Sequence, residues 1–564
     1  MPGGAWFGLL ILCAILFAPG QAAVPPVDRD EARFAQASRQ MLESGDFVDI
    51  RFQDDPRHNK PAGIYWLQSA SVALFSEPEA TAIWPYRLPS VLGATAAVLL
   101  TAWAGVRLFG PAAAIGGAAL LAATVLIAIE SRLAKTDAVL LATVVWAQGA
   151  LARAYLGRRE AKGRPIGLAV ALGFWVALGL GGLVKGPIPL MVAALTAAAL
   201  VVADRRGDWL GDLRPTIGAP LALLVAAPWF VAIGLQSGGG FYEDSVGTDL
   251  LGKLFSGQES HGAPPGYYLG LFPVTFWPAT LGLVLAVPMI RRRWREPAVR
   301  FCLAWILPTW LVFELVATKL PHYVLPTYPA LALLVAWAIL DRPRDVAAGP
   351  PGRAGRIVAA VLFGIPALGL PLALAALPIV SEGRLFWSAI AVVPVAWALA
   401  FHGYRAAMAG ERPALAIGAP VAAMAVLAAV AFQLVAPALD TAHVSRQVAR
   451  AVERIAPCPP AETRVASAHF TEPSLVFWTG TDTVLSGGSG PAVDLIARDA
   501  CAVAVIRETR LDTFRSALAE RGVAIEAAAT VEGFNYSKGD RLTLTLFRRP
   551  AATEPLPTPT EEGQ

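Results

Sequence analysis

Charge is what this chain has least of. Of 564 residues only 16% are Asp, Glu, Lys or Arg while 55% are hydrophobic, a balance that excludes a soluble globular protein. Cysteine is scarce, at four residues, and neither CxxC nor Cys/His metal spacing occurs among them. The net charge of +4 comes without a basic tract or interleaved aromatics, which excludes a nucleic-acid surface and nucleic acid as a partner. No fixed-period repeat is present, and that excludes a solenoid.

What is abundant is apolar sequence of membrane-span length. Runs at 5–24, 86–108, 111–130, 137–156, 165–182, 186–203, 215–235, 267–290, 300–317, 322–340, 356–380, 384–402 and 413–437 predict about thirteen transmembrane helices. Basic residues fix the orientation, because short loops rich in Lys and Arg stay in the cytoplasm. Arg158, Arg159, Lys162, Arg164, Arg205, Arg206, Arg291, Arg292, Arg293, Arg295, Arg342, Arg344, Arg405 and Arg412 share one side. The intervening connectors are poor in basic residues and face outward. The chain is expected to cross a membrane many times, with the outer loops and everything after about Ala438 on the outer side. Residues 5–24 read either as the first span or as a signal peptide ending in the small residues Gly20–Ala23; in both cases Asp28 emerges outside.

The fold class is thus a mainly α polytopic membrane protein with a small α/β periplasmic C-terminal domain. Its expected divisions are a membrane domain over 1–438, with outer loops at 25–85 and 236–266, a periplasmic domain over 439–550 and a disordered tail over 551–564. Strand-like alternation at Cys501–Ile506 and Leu542–Phe547 around a helical Thr509–Arg521 marks the second domain. Cys13 and Cys302 fall in spans and read as small apolar residues. Cys458 and Cys501 share the outward tail, where an oxidising compartment permits a disulfide, and are its candidates.

The ionisable groups of chemical interest gather on the outer side: Asp28, Asp30, Glu31, Arg33, His58, Lys60, Glu130, Arg132, Lys135, Asp137, Lys185, Lys253, Glu259, His261, Lys319 and His322. Charges at membrane depth are costly, so cations and carboxylates gathered near one face point to a wet cavity that handles an ionic substrate, with Lys60, Lys253 and Lys319 as an anion site. Each residue also has a structural reading. Lys snorkels at helix ends, and Asp30, Glu31 and Asp137 stand where acidic side chains cap helix N-termini.

The stretch DRDEARFAQASRQMLESGDFV followed by HNKPAGIYWL resembles the first periplasmic loop of the lipid A aminoarabinose transferases and of the wider bacterial branch of the protein mannosyltransferase superfamily. ESRLAKTDAVL, GLVKGP, HGAPPGYYL, ATKLPHYVLPTYPALALL and GFNYSKGDRLTLTLFRR continue the likeness in order along nearly the whole chain. The resemblance implies a GT-C membrane glycosyltransferase that takes a sugar from a polyprenyl-phosphate (undecaprenyl-phosphate) carrier, among the membrane lipids, and passes it with inversion to lipid A or another envelope glycan. It implies catalytic roles for Asp30, Glu31 and Asp137. Arg33, Lys60, Lys253 and Tyr323 match positions associated with the carrier phosphate, and His58, His261 and Lys319 join them as substrate-binding candidates. Lys253 stands where the aminoarabinose enzymes are expected to carry Arg, and a point ammonium lacks the bidentate contact of a guanidinium. No sugar nucleotide is implied; a divalent metal is a candidate cofactor without a compelling ligand set. Protein Ser/Thr hydroxyls as acceptors, and a lipid or solute transporter, are the alternative readings.

Overall fold

The computed structural model describes all residues except 79, 160–164, 246, 248–251, 253–261, 342–350 and 551–564. The expectations placed on Lys162, Arg164, Lys253, Glu259, His261, Arg342, Arg344 and the 551–564 tail lie outside the described residues. The chain divides into two compact units, one of Met1–Val24 with Ala37–Ala438, the other of Pro25–Gln36 with Leu439–Gln564. The loop expected over 25–85 is therefore split. Its first part is grouped with the C-terminal residues, and the helix Asp30–Ser44 runs through the division.

In the first unit, nine helices among the described residues are long and apolar enough to cross a membrane, with a tenth if Tyr267–Thr275 and Ala279–Arg293, bent by 108°, count as one span. Every one of the thirteen apolar runs carries helix. The count nevertheless falls, because Gly3–Phe17, Pro111–Ala122 and Ile188–Asp204 are shorter than 18 residues. At 1.5 Å per residue such helices reach roughly 18–26 Å, short of a hydrocarbon core about 30 Å thick. The run over 111–130 is interrupted between Pro111–Ala122 and Val125–Glu130. The chain is a multi-pass membrane protein.

Close backbone approaches set the helices that matter for chemistry. A Cβ at Gly93, in Trp84–Phe109, would lie 2.8 Å from the Cα of Val139, so only glycine lets this helix lie against the start of Asp137–Gly157. A Cβ at Gly63, opening helix Gly63–Phe75, would lie 2.7 Å from the carbonyl oxygen of Leu183, which brings the chain just after Lys60 onto the end of Leu168–Lys185. That helix stops at Gly186, whose φ of 62° suits glycine, with Pro187 following. Arg132 donates to the carbonyls of Pro19, Ala128 and Leu16, and Arg87 to those of Gln21 and Val24 at 2.9 and 2.7 Å. Arg132, one of the outer charges in the sequence, thus closes the exposed carbonyl end of the first helix.

The second unit is an α/β domain around a five-stranded mixed sheet, with strands in the order Val484–Ser486, Arg464–Ala468, Ala502–Arg507, Asp540–Arg548, Glu526–Asn535. The first three are parallel and the last two antiparallel. Alternation along Ala502–Arg507 sends Val503 and Val505 toward the helix Val444–Ile455, while Ala502, Ala504 and Ile506 pack with Ile496, Phe514 and Leu518. Cys458 and Cys501 are bonded, with their Cα atoms 5.4 Å apart, tying the loop after Val444–Ile455 to the start of a central strand. A bridge over 43 residues of separation restricts the unfolded chain enough to stabilise the unit by about 4 kcal/mol. Reduction, or Cys458→Ser, is expected to lower its unfolding midpoint accordingly, and peptide mapping under non-reducing conditions with a thiol blocker should recover the two cysteines as one linked species. Recovery of both as separately alkylated peptides would rule the bridge out in the cell.

Candidate functional site

The first unit contains a cavity of about 540 Å³. One part of its wall is polar, built from Asn59, Lys60, Asp137, Lys185, His322 and Tyr323. The remainder is apolar and aromatic, with Ile188, Met191, Phe230, Phe241, Val312 and Phe313 among its residues. A pocket divided this way suits a ligand with an anionic head and a hydrocarbon body.

The polar side rests on a buried ionic cluster. Asp137 opens its helix and Lys185 closes another, and the ammonium of Lys185 donates to Asp137 Oδ1 at 2.5 Å. Behind this pair Lys135 lies 3.2 Å from Glu130 Oε1 and 3.7 Å from Asp137 Oδ2. His322 sits between the carboxylates, Nδ1 3.6 Å from Glu130 and Nε2 3.7 Å from Asp137. Each carboxylate thus faces an ammonium, and such mutual pairing is the condition for keeping charged groups out of water. Lys185 also lies 5.6 Å from the centre of the Tyr323 ring. Lys60, whose Nζ donates to the Asn59 carbonyl at 2.8 Å, adds a further cation to the wall.

Of the residues singled out in the sequence, Lys60, Asp137 and Tyr323 meet at this cavity. Lys319 does not line it. Its buried ammonium donates to the carbonyls of Glu314 at 2.9 Å and Val316 at 2.5 Å, closing the end of helix Pro297–Leu315. His58 stands next to the lining but is absent from it; its ring bridges Asp49 at 2.9 Å and Asp244 at 3.3 Å, a strap between two loops. Lys185 and His322 belong to the wall and were not among the candidates for substrate contact. Both stand inside motifs that carry the family likeness, GLVKGP and KLPHY, where position alone was the available signal.

Asp30, Glu31 and Arg33 lie in the second unit. Asp30 is exposed at the first residue of its helix, whereas Glu31 is buried and accepts the Val27 amide at 2.7 Å, a capping contact. The segment is pinned to its own unit at three points: Asp28 Oδ1 accepts from the Ser474 amide at 3.2 Å, Arg29 donates to the Ser537 carbonyl at 3.0 Å, and Gln36 donates to Thr481 at 2.8 Å.

Glu130, Asp137 and His322 offer three ligand atoms within 4.8 Å of one another. Their lone pairs already face the ammoniums of Lys135 and Lys185, and the one carboxylate oxygen left over, Glu130 Oε2, is not a coordination shell. The set does not fit a resident dication.

Residues 59–231 match the family model of the dolichyl-phosphate-mannose-protein mannosyltransferases. The chain is 27% identical over 340 residues to the undecaprenyl phosphate-alpha-4-amino-4-deoxy-L-arabinose arabinosyl transferase of Edwardsiella ictaluri, covering 59% of this chain and 58% of that one. It is 30% identical over 323 residues to the enzyme of that description from Aeromonas salmonicida, covering 55% and 56%. The chain therefore spans little more than half the length of these relatives. In fold the likeness is fuller. The crystal structure of ArnT from Cupriavidus metallidurans bound to undecaprenyl phosphate superposes with a TM-score of 0.72 over 96% of this chain and 98% of that one, at 18% identity.

Burial lifts the Asp28 carboxyl to about 7, against the Ser474 hydrogen bond and with the Glu472 carboxylate adding to the rise. A raised folded-state value means the folded unit binds this proton more tightly than the unfolded chain. Its contribution is therefore complete below the ordinary carboxyl range near 4 and is lost as pH climbs through 7. Asp28→Asn, which cannot ionise, is expected to flatten the fall in thermal midpoint of the second unit between pH 4 and 7. An unchanged slope would show that Asp28 is not the group responsible.

Proposed function

Starting from an ArnT-like membrane protein of the GT-C fold, we propose that the chain is a glycosyltransferase that moves a sugar from a polyprenyl-phosphate carrier to an envelope acceptor. The observation that carries this reading is the mixed lining of the cavity, in which Lys60 and Lys185 share the wall with a mostly apolar and aromatic surface. The donor's phosphate would lie against Lys60 and Lys185 with its isoprenoid chain along the apolar wall. As the anomeric bond breaks, negative charge grows on the departing phosphate, and fixed cations in a poorly hydrated site stabilise that change more than they stabilise the bound donor. Asp137 holds Lys185 in place and His322 closes the carboxylate cluster beside it. Asp30 is the residue we assign to the acceptor. An exposed carboxylate can take a proton from a hydroxyl acceptor, or position one that is already anionic.

The relatives' names specify undecaprenyl phosphate and 4-amino-4-deoxy-L-arabinose as donor, and we take the first as this chain's carrier. Lipid A is the acceptor we favour. The family model's name points to protein hydroxyls instead, and product analysis decides between them. The distribution of basic residues among the loops supports a site on the periplasmic face of the inner membrane.

In lipid nanodiscs with an undecaprenyl-phosphate-linked sugar, Lys60→Ala is expected to lower kcat/KM by roughly 10²–10³, the scale of losing one stabilising contact to developing charge, with Lys60→Arg recovering part of it. Wild-type turnover in Lys60→Ala would remove the phosphate from this end of the cavity. Asp30→Asn should keep the helix start and abolish transfer to a hydroxyl acceptor, while leaving donor affinity unaltered; full activity in the folded variant would reduce Asp30 to a helix-start residue.

A further inference from the structure

In the second unit, three parallel strands end at one edge of the sheet. Ala468 pairs with Ser486 and with Ile506, so His469, Gly487 and Arg507 leave the sheet side by side. In open α/β sheets ligands bind outside these carboxyl ends, because the loops that follow are free to diverge. The residues gathered here are cationic. Arg507 ends its strand, Arg510 follows in the next turn, and Lys538 stands in the hairpin that joins the last two strands. Asp540 pairs with Arg507 at 2.7 Å and the exposed Glu508 lies in the same turn as Arg510. The surplus therefore rests with Arg510 and Lys538. Among the described residues neither side chain, nor that of His469, has a hydrogen-bond or ion-pair partner, and Nε of Arg507 is buried without one. His469 and Arg507 follow paired residues of adjacent strands, and the Arg507–Asp540 pair draws the hairpin that carries Lys538 to the same edge; burial and then the charges of Arg510, Arg507 and Lys538 hold the His469 imidazole below its usual range.

The backbone at this edge is open as well. His469 has a φ of 64°, strained for a residue with a side chain, and its amide donates to the Ser486 carbonyl at 2.8 Å. Ser486 leads into Gly487, Gly488, Ser489 and Gly490, where the helix Gly490–Arg498 begins. A Cβ at Gly487 or Gly490 would meet nothing within 4 Å. No packing requires glycine at these positions, and a ligand can approach the chain there.

We propose that this edge, built from His469, Arg507, Arg510 and Lys538 beside the Gly487–Gly490 turn, is a binding site for a phosphate monoester carried by the acceptor glycolipid. The glycolipid as source rests on the transferase reading; the phosphate chemistry does not. The same unit carries Asp30, so a phosphate held here would bring its glycan to the unit that bears the acceptor-side carboxylate.

The test uses the full-length protein in nanodiscs of zwitterionic lipid, titrated with lipid A, with the same lipid after phosphatase treatment, and with inorganic phosphate. Lipid A is expected to bind at least tenfold more tightly than its dephosphorylated form, with a preference that weakens as salt rises. The Arg510→Ala/Lys538→Ala double variant, altered only at exposed positions, should lose that preference, and Arg510→Lys/Lys538→Arg should keep it. Equal binding of the two lipids, or a preference that survives the double alanine variant with its thermal midpoint intact, overturns the proposal. A double-variant-sensitive response to inorganic phosphate without a lipid preference overturns the glycolipid as source. Donor turnover measured alongside keeps the two readings apart: its absence in wild type defeats the transferase assignment and leaves the binding comparison to judge this site.

Discussion

The charge pair between Asp137 and Lys185 is the constraint on which the rest of the membrane unit depends. Each of these ions at the end of an apolar helix would be costly alone, and each is made tolerable by the other at 2.5 Å. The pair fixes the start of one span against the end of another. Lys135, Glu130 and His322 complete the neutralisation around it, and no cation within this cluster can be removed without leaving a buried carboxylate exposed to that cost. A site of this kind is rigid because its charges are indispensable to one another. That rigidity is what stabilising a departing phosphate demands, since donors that are already oriented need no reorganisation when charge develops.

Packing delivers the helices to that pair. Gly93 lets one span approach the backbone of Val139, and Gly63 lets the chain after Lys60 rest on the carbonyl of Leu183. A larger side chain at either position would push apart the elements bearing Asp137, Lys60 and Lys185, so the electrostatics of the cavity depend on two residues that have no charge. The apolar wall follows from the same arrangement. Residues that would face lipid elsewhere in a membrane protein here line a void together with Lys60 and Lys185, and on the proposed reading such a lining suits an amphiphilic anion better than a free sugar or ion.

The membrane class was legible because apolar runs of this length have few other physical explanations. Their number was less so. Helices such as Gly3–Phe17 and Pro111–Ala122 end sooner than the apolar sequence does, and hydropathy does not register a backbone break. Among the charged residues, Lys60 from the first outer loop and Asp137 from the start of a span both line the cavity. Lys319 has the same sequence context and a different outcome: its side chain turns back to carbonyls of its own chain, a choice made by a few ångströms of local geometry. His58 differs from His322 in the same way. One is held by Asp49 and Asp244, the other meets Glu130 and Asp137, and only the fold decides which carboxylates a histidine finds.

The N-terminal loop shows where sequence reasoning runs out. Asp28 and Asp30 are two residues apart and chemically alike, yet Asp28 is fastened to Ser474 and Asp30 stands exposed. Contacts across more than four hundred residues make that difference, and no local pattern encodes them. Their consequence is a separation of roles. Burial pushes the Asp28 carboxyl up to about 7, whereas Asp30 stands exposed at the first residue of its helix. The acidic stretch resolves into parts: Asp28 and Glu31 are held by contacts within their unit, and Asp30 stands exposed, the residue that the proposed reading assigns to an acceptor.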